Sequence, residues 1–145
     1  MGQSYIGAVV SVSAGNPATF DAAGYAAKSW TALNNVETWP EMGDTSADLT
    51  TTLLSGRTDH TNGALDGGSG DFSVIVPTGA ADAGLTILRT NANTNNPVSF
   101  RVADPDGTIA YSAGVVASLR DRAREAGNIK GVTGQVRFNA AVVRA

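Results

Sequence analysis

The residues that could perform chemistry are few. His60 is the only histidine, set between Asp59 and Thr61 in a glycine-rich stretch. Nucleophilic catalysis needs a base held beside the nucleophile, and this single imidazole reads as an exposed loop side chain instead. With no cysteine and one histidine, the chain has neither a disulfide framework nor the ligands for a protein-only zinc site. Gly67-Gly68-Ser69-Gly70 leads into a strand pattern rather than a helix, and no Gly-Lys-Ser/Thr follows. It is a turn, not a phosphate cradle. Asp104 and Asp106 have the spacing of neighbouring calcium ligands, but Gly107 follows at once and no glutamate closes a loop, so a hairpin turn accounts for them. The acid pairs Glu37 with Glu41 and Asp44 with Asp48 could act on a sugar only in a geometry that spacing does not supply; they read as surface carboxylates. Arg120, Arg122 and Arg124 alternate with Asp121, Ala123 and Glu125, a local net charge of only +1 with no aromatics nearby. That is too little for a phosphate-binding stripe. Two readings stand for it: a solvated connection, or an ion-pairing face for a neighbouring subunit. Catalytic, cofactor and metal sites are therefore not expected.

The elements around these residues are those of a turn-rich β protein. The 145 residues fit one domain, and 17 glycines with five prolines disfavour a helical bundle. Tyr5 to Val12 reads as a largely buried first strand; it is also the longest nearly apolar run, far short of the roughly 20 residues that span a bilayer. The residues before it lack a basic n-region, which points to synthesis without a cleaved secretory signal, in the cytoplasm. Ala22 to Trp30 has the alanines of a helix, with Asp21 as its N-cap and Gly24 against it. Pro40 to Gly70 is a long polar loop, in which only Leu49 to Leu54 looks strand-like. Asp71 to Pro77 alternates, with Phe72, Val74 and Val76 on one face, and Pro77-Thr78-Gly79 ends it. Asp82 caps a helix carrying Leu85, Leu88 and Ala92 as one stripe. Val98, Phe100 and Val102 alternate into the turn Asp104-Pro105-Asp106-Gly107, and Ile109 with Tyr111 return. Gly114 to Leu119 forms another strand, Arg120 to Gly134 a charged connection, and Val136, Phe138, Ala140 and Val142 the last strand. The expected fold is mainly β, a sandwich or barrel of about six to seven strands with one short flanking helix.

Charge is distributed unevenly along the chain. Residues 1–88 hold nine acids and two bases, a net of −7, whereas residues 89–145 hold four acids and eight bases, a net of +4. Such polarity suits copies that meet head to tail, although charge alone favours solvated surface.

One ordered set of motifs is distinctive. Val36-Glu37-Thr38-Trp39-Pro40-Glu41-Met42-Gly43-Asp44-Thr45 precedes Leu53-Leu54-Ser55-Gly56-Arg57-Thr58, then Gly63-Ala64-Leu65-Asp66-Gly67-Gly68 and an alternating strand. Asp82-Ala83-Gly84 with Leu88-Arg89, Phe100-Arg101-Val102 and Pro105-Asp106-Gly107 follow. From Val36 to Leu119 this order resembles the tail tube proteins of long-tailed bacteriophages and gene transfer agents. The resemblance implies a single tail tube domain over residues 1–145, and hexameric rings stacked into a hollow tube. Double-stranded DNA would pass through the lumen without specific binding. It implies a non-enzymatic virion tail protein whose partners are its own copies and the tape measure, tail terminator and distal tail proteins. Subunit contacts are expected from Trp39, Glu41, Met42, Asp44, Leu53, Arg57, Asp59, His60 and Asp66, and from Arg120, Arg122 and Arg124. The polar loop would order on contact with a neighbour. The alternative is a carbohydrate-binding β-sandwich that uses Tyr25, Trp30 and Trp39 as an exposed stacking platform.

Overall fold

A computed structural model describes residues 2, 4–76 and 83–145. The strand pattern is strongest where β-branched and aromatic residues alternate, and there the chain forms one large antiparallel sheet. Its strands are β1 (Val9–Ala14), β2 (Thr31–Ala32), β3 (Val36–Thr38), β6 (Ser69–Ile75), β7 (Val98–Ala103), β8 (Ile109–Asp121), β9 (Gly131–Phe138) and β10 (Val143–Arg144). The order across it is β2-β1-β7-β8-β9-β6-β3, with β10 pairing the first residues of β8. The end strands β2 and β3 do not pair with each other, so the sheet is open and not a barrel. A second sheet consists of β4 (Thr45–Thr52) and β5 (Thr58–Asp66) alone.

Alternation decides what is buried. Val10, Val12, Phe72, Val74, Val98, Phe100, Val116, Val132, Val136 and Phe138 form the main core, together with Leu85 and Leu88 from helix α2 (Ala83–Asn91). The expected stripe of α2 is thus present; its cap Asp82 and the turn at residues 77–79 lie outside the described residues. A smaller cluster gathers Tyr25, Tyr111 and Ala113 with the half-buried Trp30, Ile109, Ala140 and Val143. Helix α1 (Ala22–Ala26) positions Tyr25 there, and its start is fixed as the sequence suggests: the Gly24 N–H donates to Asp21 Oδ1 at 2.7 Å. That bond, and a second from the Thr19 hydroxyl, hold the Asp21 carboxyl below its ordinary pKa.

Several expectations are corrected by the fold. Strands number ten and helices two among the described residues, against six or seven and one. The first strand starts at Val9, and Tyr5 and Ile6 are 78% and 88% exposed. The segments around Ile109 and Gly114 are one continuous 13-residue strand. It runs through the Arg120 region to Asp121, which shortens the charged connection. The last alternation ends at Phe138, because Ala140 and Val142 lie beyond β9. The turn after Ala103 is as expected: the Gly107 N–H donates to Asp104 O at 3.0 Å, and Gly107 takes a φ of 91°, a conformation glycine adopts without steric cost.

Near its end β8 carries a bulge. The register slips between Ala117 and Arg120, and Ser118 adopts a φ of 56°. Asn93, beyond α2, covers this stretch by accepting from the Ser118 N–H through Oδ1 and donating its own N–H to Val116 O, both at 2.9 Å. Beyond the bulge the ladder resumes, with Arg120 opposite Thr133 and Asp121 opposite Val132.

Candidate assembly interface

The polar stretch from Pro40 to Gly70 is not an irregular loop; most of it is the β4–β5 hairpin. Threonine-rich strands favour extended backbone. At the tip, Leu53 N–H bonds Arg57 O at 2.8 Å and Gly56 N–H bonds Leu53 O at 2.9 Å, with Gly56 at a φ of 82°. This is a three-residue hairpin connection closed by a left-handed glycine. The root is tied by the Thr45–Asp66 pairing, by Gly68 N–H donating to Asp66 Oδ1 at 2.9 Å, and by Phe138 N–H donating to Gly68 O at 2.9 Å.

Every residue of β4 and β5 is exposed except the half-buried Gly63. Strand register separates two faces, because directly opposed residues share one. Asp48 opposite Asn62 and Thr50 opposite His60 make a polar face, where His60 Nδ1 lies 3.1 Å from Asp48 and Ser46 Oγ lies 3.3 Å from Asn62 Oδ1. Leu49 opposite Thr61 and Thr51 opposite Asp59 make the other. Leu49, Leu53, Leu54 and Leu65 are exposed at 57%, 41%, 110% and 70%. From Glu41 to Asp66 the segment carries five acids against Arg57, a net of −4 with His60 neutral.

The expected contact residues fall into three groups. Glu41, Asp44, Leu53, Arg57, Asp59, His60 and Asp66 are brought together on the hairpin and its root, all solvent-exposed. Trp39 and Met42 are half-buried against the main core instead, and Trp39 packs its ring 5.6 Å from Phe72 and 5.4 Å from Phe100. Their large apolar surfaces are already used by their own chain. Arg120, Arg122 and Arg124 form the third group, at the far end of β8. Arg122, with only 22% of its side chain exposed, donates to Glu37 at 2.6 Å and to Ser73 Oγ. Arg124 pairs with Asp121 at 3.1 Å, and Arg89 joins the same carboxylate at 3.4 Å. Among the described residues Arg120 has no ion pair. Sequence reasoning missed Asp48, Glu37 and Asp121 as partners; the Asp48–His60, Glu37–Arg122 and Asp121–Arg89 pairings join segments whose register is invisible in the linear order, whereas Asp121 lies only three residues from Arg124.

The aromatic platform of the carbohydrate-binding alternative is not assembled. Tyr25 is fully buried and stacks on Tyr111 at 5.2 Å, and burial pushes its phenol pKa up. Trp30 packs on the same tyrosine and donates its Nε1–H to Tyr25 O at 3.0 Å. Trp39 belongs to the other core cluster. Three rings spent on two separate clusters offer no shared face to a sugar.

No family model and no curated protein matches the sequence. Solved structures match the fold. A chain in the cryo-EM structure of the PVC sheath/tube terminator of an extracellular contractile injection system, in the extended state, superposes with a TM-score of 0.59 at 10% identity, covering 94% of this chain and 92% of that one. A chain of the PVC sheath-tube complex in the extended state gives 0.57 at 12%, covering 94% and 87%. A chain of the anti-feeding prophage baseplate, 6-fold symmetrised, gives 0.59 at 13%, covering 95% and 91%. At these identities the likeness is one of fold.

Proposed function

We propose that this chain is a non-enzymatic structural subunit of a phage-tail-like tube, built from stacked hexameric rings around a lumen. The observation that carries the reading is the solvent-exposed acidic hairpin rooted on an open sheet whose fold is shared with chains of sheath-tube, terminator and baseplate assemblies. A two-stranded ribbon with both edges free is marginal in water by itself. Its leucines and unpaired backbone groups gain most from a neighbouring subunit. The motif order from Val36 to Leu119 supports a tail tube protein of a long-tailed phage or gene transfer agent. The structural likeness supports a tube of the contractile injection type. Both share the ring-stacked conduit, and the DNA cargo belongs to the phage version. The tape measure, terminator and distal tail proteins are its partners on that version, in a virion tail assembled in the host cytoplasm. Negative-stain microscopy with sedimentation velocity tests the proposal: rings and tubes of uniform diameter are expected as concentration rises, and a protein that stays monomeric at every concentration and salt overturns it.

A further inference from the structure

The hairpin root and the arginine cluster lie at opposite ends of the same two strands. The root sits beside Phe138 and Ser69, where β9 ends and β6 begins. The arginines sit where β9 begins: Arg120 is opposite Thr133, Asp121 opposite Val132, and Arg122 N–H donates to Gly131 O at 2.9 Å. Five to seven residues of β9 separate the two places, about 20 Å at the rise of a strand. Between β8 and the connection after it lies an open cleft of about 650 Å³ lined by Arg120, Asp121, Arg122, Ala123, Asn128 and Thr133. Asp121, its only carboxylate, is already held by both Arg89 and Arg124. The cleft is left with the exposed Arg120 guanidinium, which pairs with no carboxylate among the described residues.

The hairpin shows the opposite imbalance. Asp48 faces His60 and Asp66 accepts from Gly68 N–H, but Asp59, one register step from the tip pair, has no partner among the described residues. Asp59 and Leu49 share the hairpin's less polar face. We infer that the β4–β5 hairpin of one copy seats in the Arg120 cleft of the next, with Asp59 meeting Arg120. The occupant is a second copy because charge complements charge while donor and acceptor stand at opposite ends of one subunit. Hairpin and cleft are different surfaces at different places on the subunit, so the contact repeated by one operator builds a ring or a filament. This rests on the tube-subunit reading and adds to it the surface that receives the hairpin.

Charge exchange tests it. Asp59→Arg alone and Arg120→Glu alone should each raise the critical concentration for assembly about fivefold or more, the order expected when one ion pair becomes a like-charge contact. The double variant should return it to near the wild-type value. Both positions are exposed, and circular dichroism reports whether each variant keeps its fold. The absence of native cysteine allows a second measurement. Singly substituted Thr61→Cys and Ala123→Cys proteins are mixed, assembled and treated with a short bismaleimide; cross-links should join unlike variants only. Wild-type tubes whose critical concentration is unmoved by either exchange, or whose cross-links join like with like, overturn the docking and leave the tube reading standing. A wild-type chain that never assembles overturns both.

Discussion

Replacing Thr45–Asp66 with a four-residue turn should leave the rest of the fold intact and abolish assembly. The excision is geometrically simple, because Thr45 and Asp66 are directly paired and their Cα atoms stand about 5 Å apart. Its energetic effect follows from what the hairpin touches. Its two strands pair only with each other, and their side chains are exposed apart from Gly63, so almost no apolar burial against the domain is lost. The chain gains instead by closing a shorter excursion. Closure entropy scales as three-halves RT times the logarithm of loop length, so going from 22 residues to four favours the truncated fold by about 1.5 kcal/mol at most. The hairpin's own ladder offsets part of that. For a domain of this size the melting temperature should therefore stay level or rise by up to about 6 °C. Thermal melts by circular dichroism, read beside sedimentation velocity, measure both halves of the prediction. A loss of more than about 2 kcal/mol would mean that the hairpin braces the domain. Tubes built from the truncated chain would remove it from the interface.

Three further outcomes are expected. Gly114→Ala should destabilise at or above the upper end of the roughly 1–3 kcal/mol cost of overpacking, measured by urea denaturation. Its Cβ would lie 2.1 Å from Arg137 O and 2.9 Å from Phe138 Cα, both backbone, so strands β8 and β9 must part; a loss below about 1 kcal/mol would contradict that tight approach. Asp21→Ala should lower the melting temperature at neutral pH, and the gap to wild type should close as pH falls below 3.8. A carboxylate whose pKa is depressed on folding stabilises above its unfolded value and loses that contribution as it is protonated; a gap that is unchanged in acid would refute the cap. Assembled tubes should show no measurable affinity for double-stranded DNA at physiological salt in fluorescence anisotropy. The net charge is −3 and the cationic run is largely tied to Glu37 and Asp121, so little remains to grip phosphates.

What was legible in the sequence tracks how asymmetrically each element is buried. Phe72 and Val74 alternate with less buried neighbours, and the strand read from Asp71 to Pro77 overlaps β6 within two residues at each end; β7 was placed nearly to the residue by its apolar Val98, Phe100 and Val102, although Ser99 between them is buried as well. Asp104 to Gly107 announced its turn by residue type. The β4–β5 hairpin has no buried face, so no period marks it. The readable signal was the β-branched run Thr50-Thr51-Thr52 followed by Leu54-Ser55-Gly56 and a return through Thr58. Leucine exposure on that hairpin was equally hidden, since an apolar residue carries no sign of whether anything covers it. The expected contact residues Glu41, Asp44, Arg57, Asp59, His60 and Asp66 are exposed, as their polarity suggests. The ties of Arg122 to Glu37 and Ser73 were not legible, because they cross 85 and 49 positions of sequence.

The edges of the two sheets bear on the docking inferred above. The outermost strands of the large sheet, β2 and β3, span only two and three residues, too short to template a neighbour. The longest free edges belong to β4 and β5, eight and nine residues each. Left neutral, such edges would pair with the same edges of another copy and close the assembly as a dimer. Here that pairing sets one segment of net charge −4 against another, so the hairpin repels its own kind across less than a Debye length. The Arg120 cleft has the opposite sign and stands at the other end of β9. Repulsion between hairpins thus disfavours the pairing of like edges, and attraction to the cleft favours the docking inferred above.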